Sequence, residues 1–142
     1  MECKRTEIRK SGELKMNREI LFRAKSIENG AWIYGSLCND PYRMEAEICD
    51  HDYVFLPRKD VDPDTVGQYI GLCDMYGNKI FEGDIVRCGE FVYEVTYSFK
   101  YASFGLCRKQ DVFMHYFGEA MNADECEVIG NIYDTKKENR NE

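Results

Sequence analysis

The sequence is poor in several features that usually identify an enzyme or a membrane protein. Its 142 residues include three prolines, two histidines and one tryptophan, and they contain no CxxC motif and no glycine-rich phosphate loop. Two histidines offer little material for Cys–His catalysis, which requires a base beside the nucleophile. The apolar runs are far shorter than the roughly 20 residues that a membrane-spanning helix requires. We therefore expect a soluble protein that has no enzymatic activity and does not associate with membranes.

Positive charge is also scarce. The chain has 19 Lys and Arg against 26 Asp and Glu, a net charge of −7. Because residues 1–15 carry a net +2 and residues 134–142 a net zero, residues 16–133 carry −9. Binding to a phosphate backbone relies on clustered Lys and Arg side chains. The charge therefore disfavours nucleic acid as a partner.

Cysteine is plentiful, but the residues are spread singly along the chain. The seven cysteines lie at positions 3, 38, 49, 73, 88, 107 and 126. An odd count without close pairs, in a sequence without a recognisable signal peptide, is typical of reduced thiols in the cytoplasm. We therefore expect reduced cysteines and a cytoplasmic protein.

The N-terminal half has the pattern of β structure. Ten Tyr and eight Phe favour strands, because aromatic side chains suit a pleated, half-buried surface. Apolar residues alternate on both sides of Asn29-Gly30, which predicts a β-hairpin. Residues 38–51 are polar and irregular, with at most a short helical turn across 42–48. Further strands are predicted at 52–56 and 65–71.

The segment DVDPDTVGQYIG (60–71) resembles the start of a calcium loop, because carboxylates occur at Asp60, Asp62 and Asp64. A twelve-residue calcium loop requires a glycine at its sixth position and a glutamate at its twelfth. Both are missing here. The segment is therefore predicted to be an exposed Asp-Pro-Asp turn that leads into a buried strand.

The C-terminal half predicts a small barrel. Five short strands separated by tight turns are expected between Gly83 and Tyr133, as in a partly open barrel of the SH3 type. The N-terminal β-hairpins would pack on this barrel. Three glycines at strand starts and kinks are expected to hold backbone positions that a Cβ would disturb: Gly67, Gly83 and Gly130.

These elements predict one mainly β domain over residues 16–134, with the barrel at roughly 80–133. Residues 1–15 lack hydrophobic periodicity, so we expect a disordered leader or a true translation start at Met16. Residues 135–142 contain no apolar side chain and are expected to be a frayed tail.

Three blocks of the sequence, in the right order, carry a family resemblance. TVGQYIGLCDMYGNKIFEGDIV (65–86) and CEVIGNIYD (126–134), preceded by REILFRAK and WIYGSL, are similar to the YopX family of bacteriophages and integrated bacterial elements. The resemblance covers about residues 16–134. It implies a β-rich phage, prophage or mobile-element protein with an SH3-type barrel in its C-terminal half. It implies no established activity and no assigned catalytic residues.

The candidate reactive residues do not form a recognisable motif. Cys49 and His51, together with Cys38, are possible zinc ligands, but structural zinc sites usually combine two close ligand pairs and the second is missing. A nucleophilic cysteine would need His51 or His115 in contact with it, and no local signature indicates such a pair. We therefore expect no metal, no cofactor and no catalytic residue.

The aromatic residues of the C-terminal half suggest a binding surface. Its candidate residues are Tyr93, Tyr97, Phe99, Lys100, Tyr101 and Arg108. Strand aromatics usually line a core, but exposed ones on small barrels can stack unpaired bases. We expect a non-enzymatic module that binds a protein, either a separate partner or a second copy in a homo-oligomer. The alternative is a single-stranded nucleic-acid binder that uses the aromatic cluster.

Overall fold

The computed structural model of the protein describes residues 18–40, 45–49, 59–109, 114–119 and 121–134. The contacts divide the chain into two compact units, residues 18–69 and the residues from 70 onward. Regular structure in both units is almost entirely β, which confirms the mainly β fold predicted from the sequence. Over the described ranges, no helix combines the length and apolar character needed to cross a bilayer.

The unit of residues 18–69 is an antiparallel sheet. Its strands are β1 Phe22–Lys25, β2 Trp32–Asp40, β3 Glu45–Cys49, β4 Lys59–Val61 and the start of β5 Gly67–Cys73. They lie in the order β4-β3-β2-β1-β5. The predicted hairpin is confirmed, because β1 pairs with β2 across a turn in which Gly30 has a φ of 72°.

The sheet of this unit curls back on itself. Ser26, just after β1, forms an antiparallel bridge with Val61 of β4. The Asp62 N–H donates to the Lys25 carbonyl over 2.8 Å. The β4 strand therefore contacts both β3 and the end of β1. The core enclosed in this way consists of Ala24, Ala46, Ile48 and Val61, with Ile33, Leu37 and Val66 packed against it.

The prediction of irregular structure at residues 38–51 is wrong in its described parts. The β2 strand continues to Asp40, and residues 45–49 form β3 where a helical turn was considered. Residues 45–49 form a strand because buried and less buried side chains alternate there. Ala46 and Ile48 face the core, and Glu47 and Cys49 alternate with them on the other face. This period of two is partly hidden by the polar composition. The strand predicted at 52–56 lies outside the described residues, as do segments 1–15 and 135–142.

The Asp-Pro-Asp segment is a turn, as predicted. Residues Pro63–Thr65 form a short 3-10 helix, and the Asp62 carboxylate accepts the Asp64 N–H over 3.0 Å. The Thr65 hydroxyl donates to the Asp62 carbonyl over 2.7 Å and accepts the Lys25 N–H over 2.8 Å. The carboxylate at position 62 is thus used by the turn backbone. The following strand β5 buries Tyr69, which is 6% exposed.

The unit from residue 70 onward is built on a four-stranded antiparallel sheet. The strands of this unit are β6 Lys79–Phe81, β7 Asp84–Cys88, β8 Phe91–Ser98, β9 Ser103–Cys107 and β10 Cys126–Asn131. The sheet order is β10-β7-β8-β9, and β6 neighbours β5. The core of this unit consists of Ile80, Val86, Cys88, Tyr93, Val95, Leu106, Ala123 and Cys126.

The sequence of residues 111–117 predicts the fourth of the five strands or a short helix, and the described part of this segment, 114–117, forms neither. Two isolated bridges occur there instead, and they join Leu106 to His115 and Phe117 to Met121. Among the described strands, β9 and β10 are the two edges of the sheet and do not close it into a barrel. The architecture is therefore two antiparallel sheets, and the SH3-type arrangement stays a prediction.

The expectation of reduced thiols is wrong at three described positions, because Cys73, Cys88 and Cys126 are disulfide-bonded. Cys88 of β7 and Cys126 of β10 face each other in the strand register and form a disulfide. Both side chains are buried in the core, at 8% and 0% exposure. Sequence spacing gave no sign of this pair because the two cysteines lie 38 positions apart in the sequence.

The predicted glycine roles are confirmed for one of three positions. Gly83, in the turn before β7, has a φ of 93°, a conformation that favours glycine. Gly67 and Gly130 lie in strands and have no positive φ. Gly130 instead follows a register shift in the pairing of β10 with β7.

Candidate binding surface at the β8–β9 hairpin

The β8–β9 hairpin ends in a tight loop of four residues. The last pair of the register is Ser98 with Ser103, so residues 99–102 make the connection. The Ser98 hydroxyl accepts the Tyr101 N–H over 3.2 Å and holds the loop. Ala102 has a φ of 51°, which is uncommon for a residue with a Cβ. This local geometry fixes the direction of the aromatic side chains that flank the loop.

Four aromatic residues lie at the end of this hairpin. Phe99 is 93% exposed, and its ring meets the edge of Tyr97 with centroids 5.3 Å apart. Tyr97 is half-buried and makes a second edge contact, also at 5.3 Å, with Phe104. Tyr101 is 61% exposed. Tyr97 therefore anchors the group to the sheet, while Phe99 and Tyr101 are presented to solvent.

A second segment of the chain completes the surface. The backbones of Leu106 and His115 exchange two hydrogen bonds of 2.7 and 2.8 Å, which hold residues 114–117 beside β9. Gly105 makes room for this segment, because a Cβ there would come within 2.8 Å of the Met114 Cγ. Tyr116 is thereby placed with its ring edge against Tyr101, centroids 5.7 Å apart.

An open cleft of about 700 Å³ lies between the hairpin and this segment. The Lys100 ammonium lies 5.2 Å from the centre of the Tyr101 ring, a distance typical of a cation–π contact. The cleft is lined by Ser98, Lys100, Tyr101, Ser103, Met114, Tyr116 and Glu119. We call Phe99 together with these lining residues the tip surface.

The structure brings four of the six predicted surface residues together and separates two. Tyr97, Phe99, Lys100 and Tyr101 lie at the tip. Tyr93 is 6% exposed and belongs to the core, because it shares the inward face of β8 with Val95. Arg108 is half-buried beyond β9, with its guanidinium 4.3 Å from the centre of the Phe91 ring and 6.0 Å from that of Tyr93.

The sequence reasoning missed the residues that line the far side of the cleft. Met114, Tyr116 and Glu119 are more than ten positions along the chain from the hairpin loop. The run VFMHYF contains the signal for Met114 and Tyr116, since aromatic residues recur there, but only the pairing of Leu106 with His115 brings it beside β9.

The candidate metal ligands do not assemble into a metal site in the described residues. No group of three or more His, Cys, Asp or Glu side chains there has the geometry of a metal site. The Asp62 carboxylate accepts a hydrogen bond from the backbone of its own turn. The His115 ring packs edge-on against the Tyr93 ring, with centroids 5.7 Å apart. His51 lies outside the described residues. Cys38 and Cys49 do come together, with their sulfur atoms 3.3 Å apart.

The two aspartates of the CDMYGNKIFEGD block accept hydrogen bonds from backbone groups. Asp74 is 4% exposed and its carboxylate accepts the N–H groups of Tyr76, Asn78 and Val128. Asp84 is 1% exposed and accepts the Phe81 N–H over 2.8 Å. These carboxylates stabilise turns, so the block is a structural signature.

Comparison with protein families identifies the chain. The family model described as YopX protein matches residues 21–137. Comparison with curated protein sequences gives no significant match. The match includes the blocks at 65–86 and 126–134, most of the N-terminal block and the complete tip surface. Since it extends over most of the 142 residues, the chain belongs to the YopX protein family.

Proposed function

We propose that this protein is a non-enzymatic binding module of a phage or integrated element, that it acts in the cytoplasm, and that its partner is a protein. The tip surface is the binding site. The observation that carries this proposal is the 93% exposure of Phe99 at the end of a hairpin whose loop geometry is fixed. A phenylalanine in that position contributes nothing to the core but can fill a pocket on a partner.

The anatomy of the tip surface fits a protein interface. Energetically dominant interface residues are large side chains that fill a pocket, surrounded by groups that exclude water. Phe99 is such an anchor. Lys100 and Glu119 provide one charge of each sign at the cleft, and Ser98 and Ser103 supply hydroxyls. A complementary partner has an apolar pocket for Phe99, with an acidic group facing Lys100.

The overall charge favours a protein over a nucleic acid. Residues 16–133 carry −9 as counted above, which opposes the approach of any polyphosphate, most strongly at low ionic strength where screening is weakest. A protein partner meets no such general repulsion. A hairpin tip also needs no secondary structure in its partner, only a concave apolar site.

The test places a photoreactive p-benzoylphenylalanine at position 99 and irradiates the protein in host cells in which the element is induced. The captured protein is purified and its affinity for the unmodified chain is measured. We expect Phe99→Ala to weaken this affinity at least tenfold, since a binding anchor contributes about 2 kcal/mol or more. Phe99→Ala should leave the melting temperature unchanged.

The matched control is Phe91→Ala. Phe91 is another exposed aromatic residue, at 50% exposure, but it lies at the start of β8, at the end opposite to the loop, where its ring contacts the Arg108 guanidinium. Its removal should leave the affinity unchanged. If Phe99→Ala binds as tightly as the parent chain, the tip surface is not the site. A second copy of the chain as the captured protein would identify a homo-oligomer.

Single-stranded nucleic acid is the second candidate partner, because the Lys100 ammonium lies against an exposed tyrosine ring at the tip. Exposed aromatic rings beside cations stack unpaired bases. Fluorescence anisotropy with labelled oligonucleotides in low salt separates the two cases. We expect no binding at micromolar protein. Saturable binding to a single strand that is weakened by both Tyr101→Ala and Lys100→Ala would establish the alternative and overturn the protein-binding proposal.

A further inference from the structure

Two cysteines of the N-terminal unit form a close pair outside the tip surface. Cys38 lies on β2 and Cys49 on the neighbouring strand β3, with their Sγ atoms 3.3 Å apart. The strand register pairs Ser36 with Cys49 and Cys38 with Glu47, so the two cysteines are diagonal neighbours. Residues in this relation point to the same face of a sheet.

The pair occupies the face of the sheet that points away from the core. Ile48, beside Cys49 in β3, is 1% exposed and faces inward, and adjacent residues of a strand point to opposite faces. Both cysteines are accordingly only half-buried. A small reagent in solution can therefore reach them, in contrast to the buried Cys88–Cys126 disulfide.

The local backbone brings β2 and β3 unusually close beside this pair. Gly35, two positions before Leu37 on β2, is buried, and a Cβ at that position would clash with the Cys49 carbonyl group. The ideal Cβ would also lie 3.0 Å from Ile48 Cγ2. The absence of a Cβ at Gly35 thus lets the Cys49 backbone lie close to β2.

We propose that Cys38 and Cys49 form a redox modification site that reacts with small-molecule disulfides. The thiolate of one cysteine attacks a sulfur of glutathione disulfide, forming a mixed disulfide and releasing one glutathione thiolate. The second cysteine then attacks the protein sulfur of the mixed disulfide and releases the second glutathione. The two cysteine sulfurs are oxidised, the glutathione disulfide is reduced to two glutathione molecules, and the two thiol protons are transferred to them. This is ordinary thiol–disulfide exchange.

The product covalently joins β2 to β3 within the unit of residues 18–69. The bond would close a loop with a sequence separation of 11 residues and would restrict the unfolded chain. Oxidation is therefore expected to raise the melting temperature and to protect β2 and β3 from amide hydrogen exchange. The tip surface lies in the other unit, so the modification does not depend on the proposed partner.

The sequence makes this disulfide simple to detect. Trypsin cleaves after Lys25, Arg43 and Arg58, so each cysteine of the pair lies in its own peptide, 26–43 or 44–58. The folded chain is treated with glutathione disulfide, alkylated and digested without reduction, and analysed by mass spectrometry. We expect the two peptides to be recovered as one disulfide-linked species. Urea added before the reaction should reduce the yield of this species severalfold, because it removes the strand register.

Three variants complete the experiment. Cys38→Ser and Cys49→Ser should each lose the linked peptides and retain a glutathione adduct on the remaining cysteine. Cys107→Ser removes an exposed thiol of β9 and should form the link as the parent chain does. The proposal is overturned if the folded parent chain keeps both cysteines reduced, holds separate glutathione adducts on them, or gives the linked species in equal yield in urea.

Discussion

The Asp74 carboxylate accepts a hydrogen bond from the backbone N–H of Val128 over 2.9 Å, across a sequence separation of 54 residues. The same side chain accepts the N–H groups of Tyr76 and Asn78, at 3.0 and 2.8 Å. One buried carboxylate thus fixes the turn between β5 and β6 and ties it to β10.

Removal of this carboxylate should be strongly destabilising. Asp74→Ala leaves three N–H groups without their acceptor, and hydrogen bonds to charged groups contribute about 1.5–3 kcal/mol each. We expect the free energy of unfolding to fall by about 3 kcal/mol or more in urea titrations. Asp124→Asn is the control, since Asp124 is exposed and its change should stay within about 0.5 kcal/mol. Equal stability of the two variants would show that the Asp74 hydrogen bonds have no net effect.

A Cβ at Gly83 should lower the free energy of unfolding for two reasons that can be tested separately. Gly83→Ala forces alanine to a φ of 93° and places its Cβ 3.1 Å from the Tyr133 Cε2 atom. Gly89→Ala also meets a positive φ, 63°, but its Cβ would enter open space. We expect the free energy of unfolding to fall by about 1 kcal/mol in Gly89→Ala and by more in Gly83→Ala. Thermal unfolding of both variants measures this, and a smaller loss at Gly83 would contradict the packing argument.

The Cys88–Cys126 disulfide should stabilise the C-terminal unit. For a sequence separation of 38 residues, the chain-entropy model gives about 4 kcal/mol at 25 °C. Urea unfolding of the double variant Cys88→Ala/Cys126→Ala should show a loss of this order. Addition of a reductant should destabilise the parent chain more than the double variant, in which the disulfide of Cys73 remains to be reduced. Cys107→Ala, which removes an exposed thiol, should respond to reductant as the parent does.

Stability at alkaline pH should depend on Tyr69. Burial raises the pKa of the Tyr69 phenol above its ordinary value, and the negative charge of Glu19 raises this pKa further. The folded state therefore holds the phenol proton more tightly than the unfolded chain does. The resulting stability is complete below the ordinary tyrosine pKa of about 10 and is lost as the pH rises through the folded-state value.

The measurement is urea unfolding at a series of pH values from about 8 to about 11, around the ordinary tyrosine pKa. We expect the parent chain to lose more stability over this range than Tyr69→Phe, which has no phenol proton to lose. Glu19→Gln should lose an intermediate amount of stability, because it removes the charge of Glu19 but leaves the larger effect of burial on the Tyr69 pKa. Parallel curves for the parent and Tyr69→Phe would show that the phenol is not perturbed.

The local elements of this fold could be predicted because their causes are local. Asn29-Gly30 specifies a hairpin through the backbone freedom of glycine, and Gly83 specifies a left-handed turn in the same way. Asp62 caps its own turn by a hydrogen bond to a backbone group two residues away. The period-two alternation around the hairpin likewise assigns residues to the faces of their own strands.

The tertiary structure decided which distant residues meet. Three such contacts depend on strand order and register. They are the Cys88–Cys126 disulfide, the contact of Cys38 with Cys49, and the hydrogen bond from the Val128 N–H to Asp74. Register is set by the packing of many side chains, so no single motif encodes it.

The candidate site divides in the same way. The sequence identified the group of aromatic residues and predicted that they lie on strands of the C-terminal half. Only the folded chain separated Tyr93, which lies in the core, from Phe99, which lies beyond the last strand pair and is exposed. The reason is physical: alternation determines the face of a strand residue, but burial requires a second element on that face. That element, residues 114–119, reaches the hairpin only through its pairing with β9.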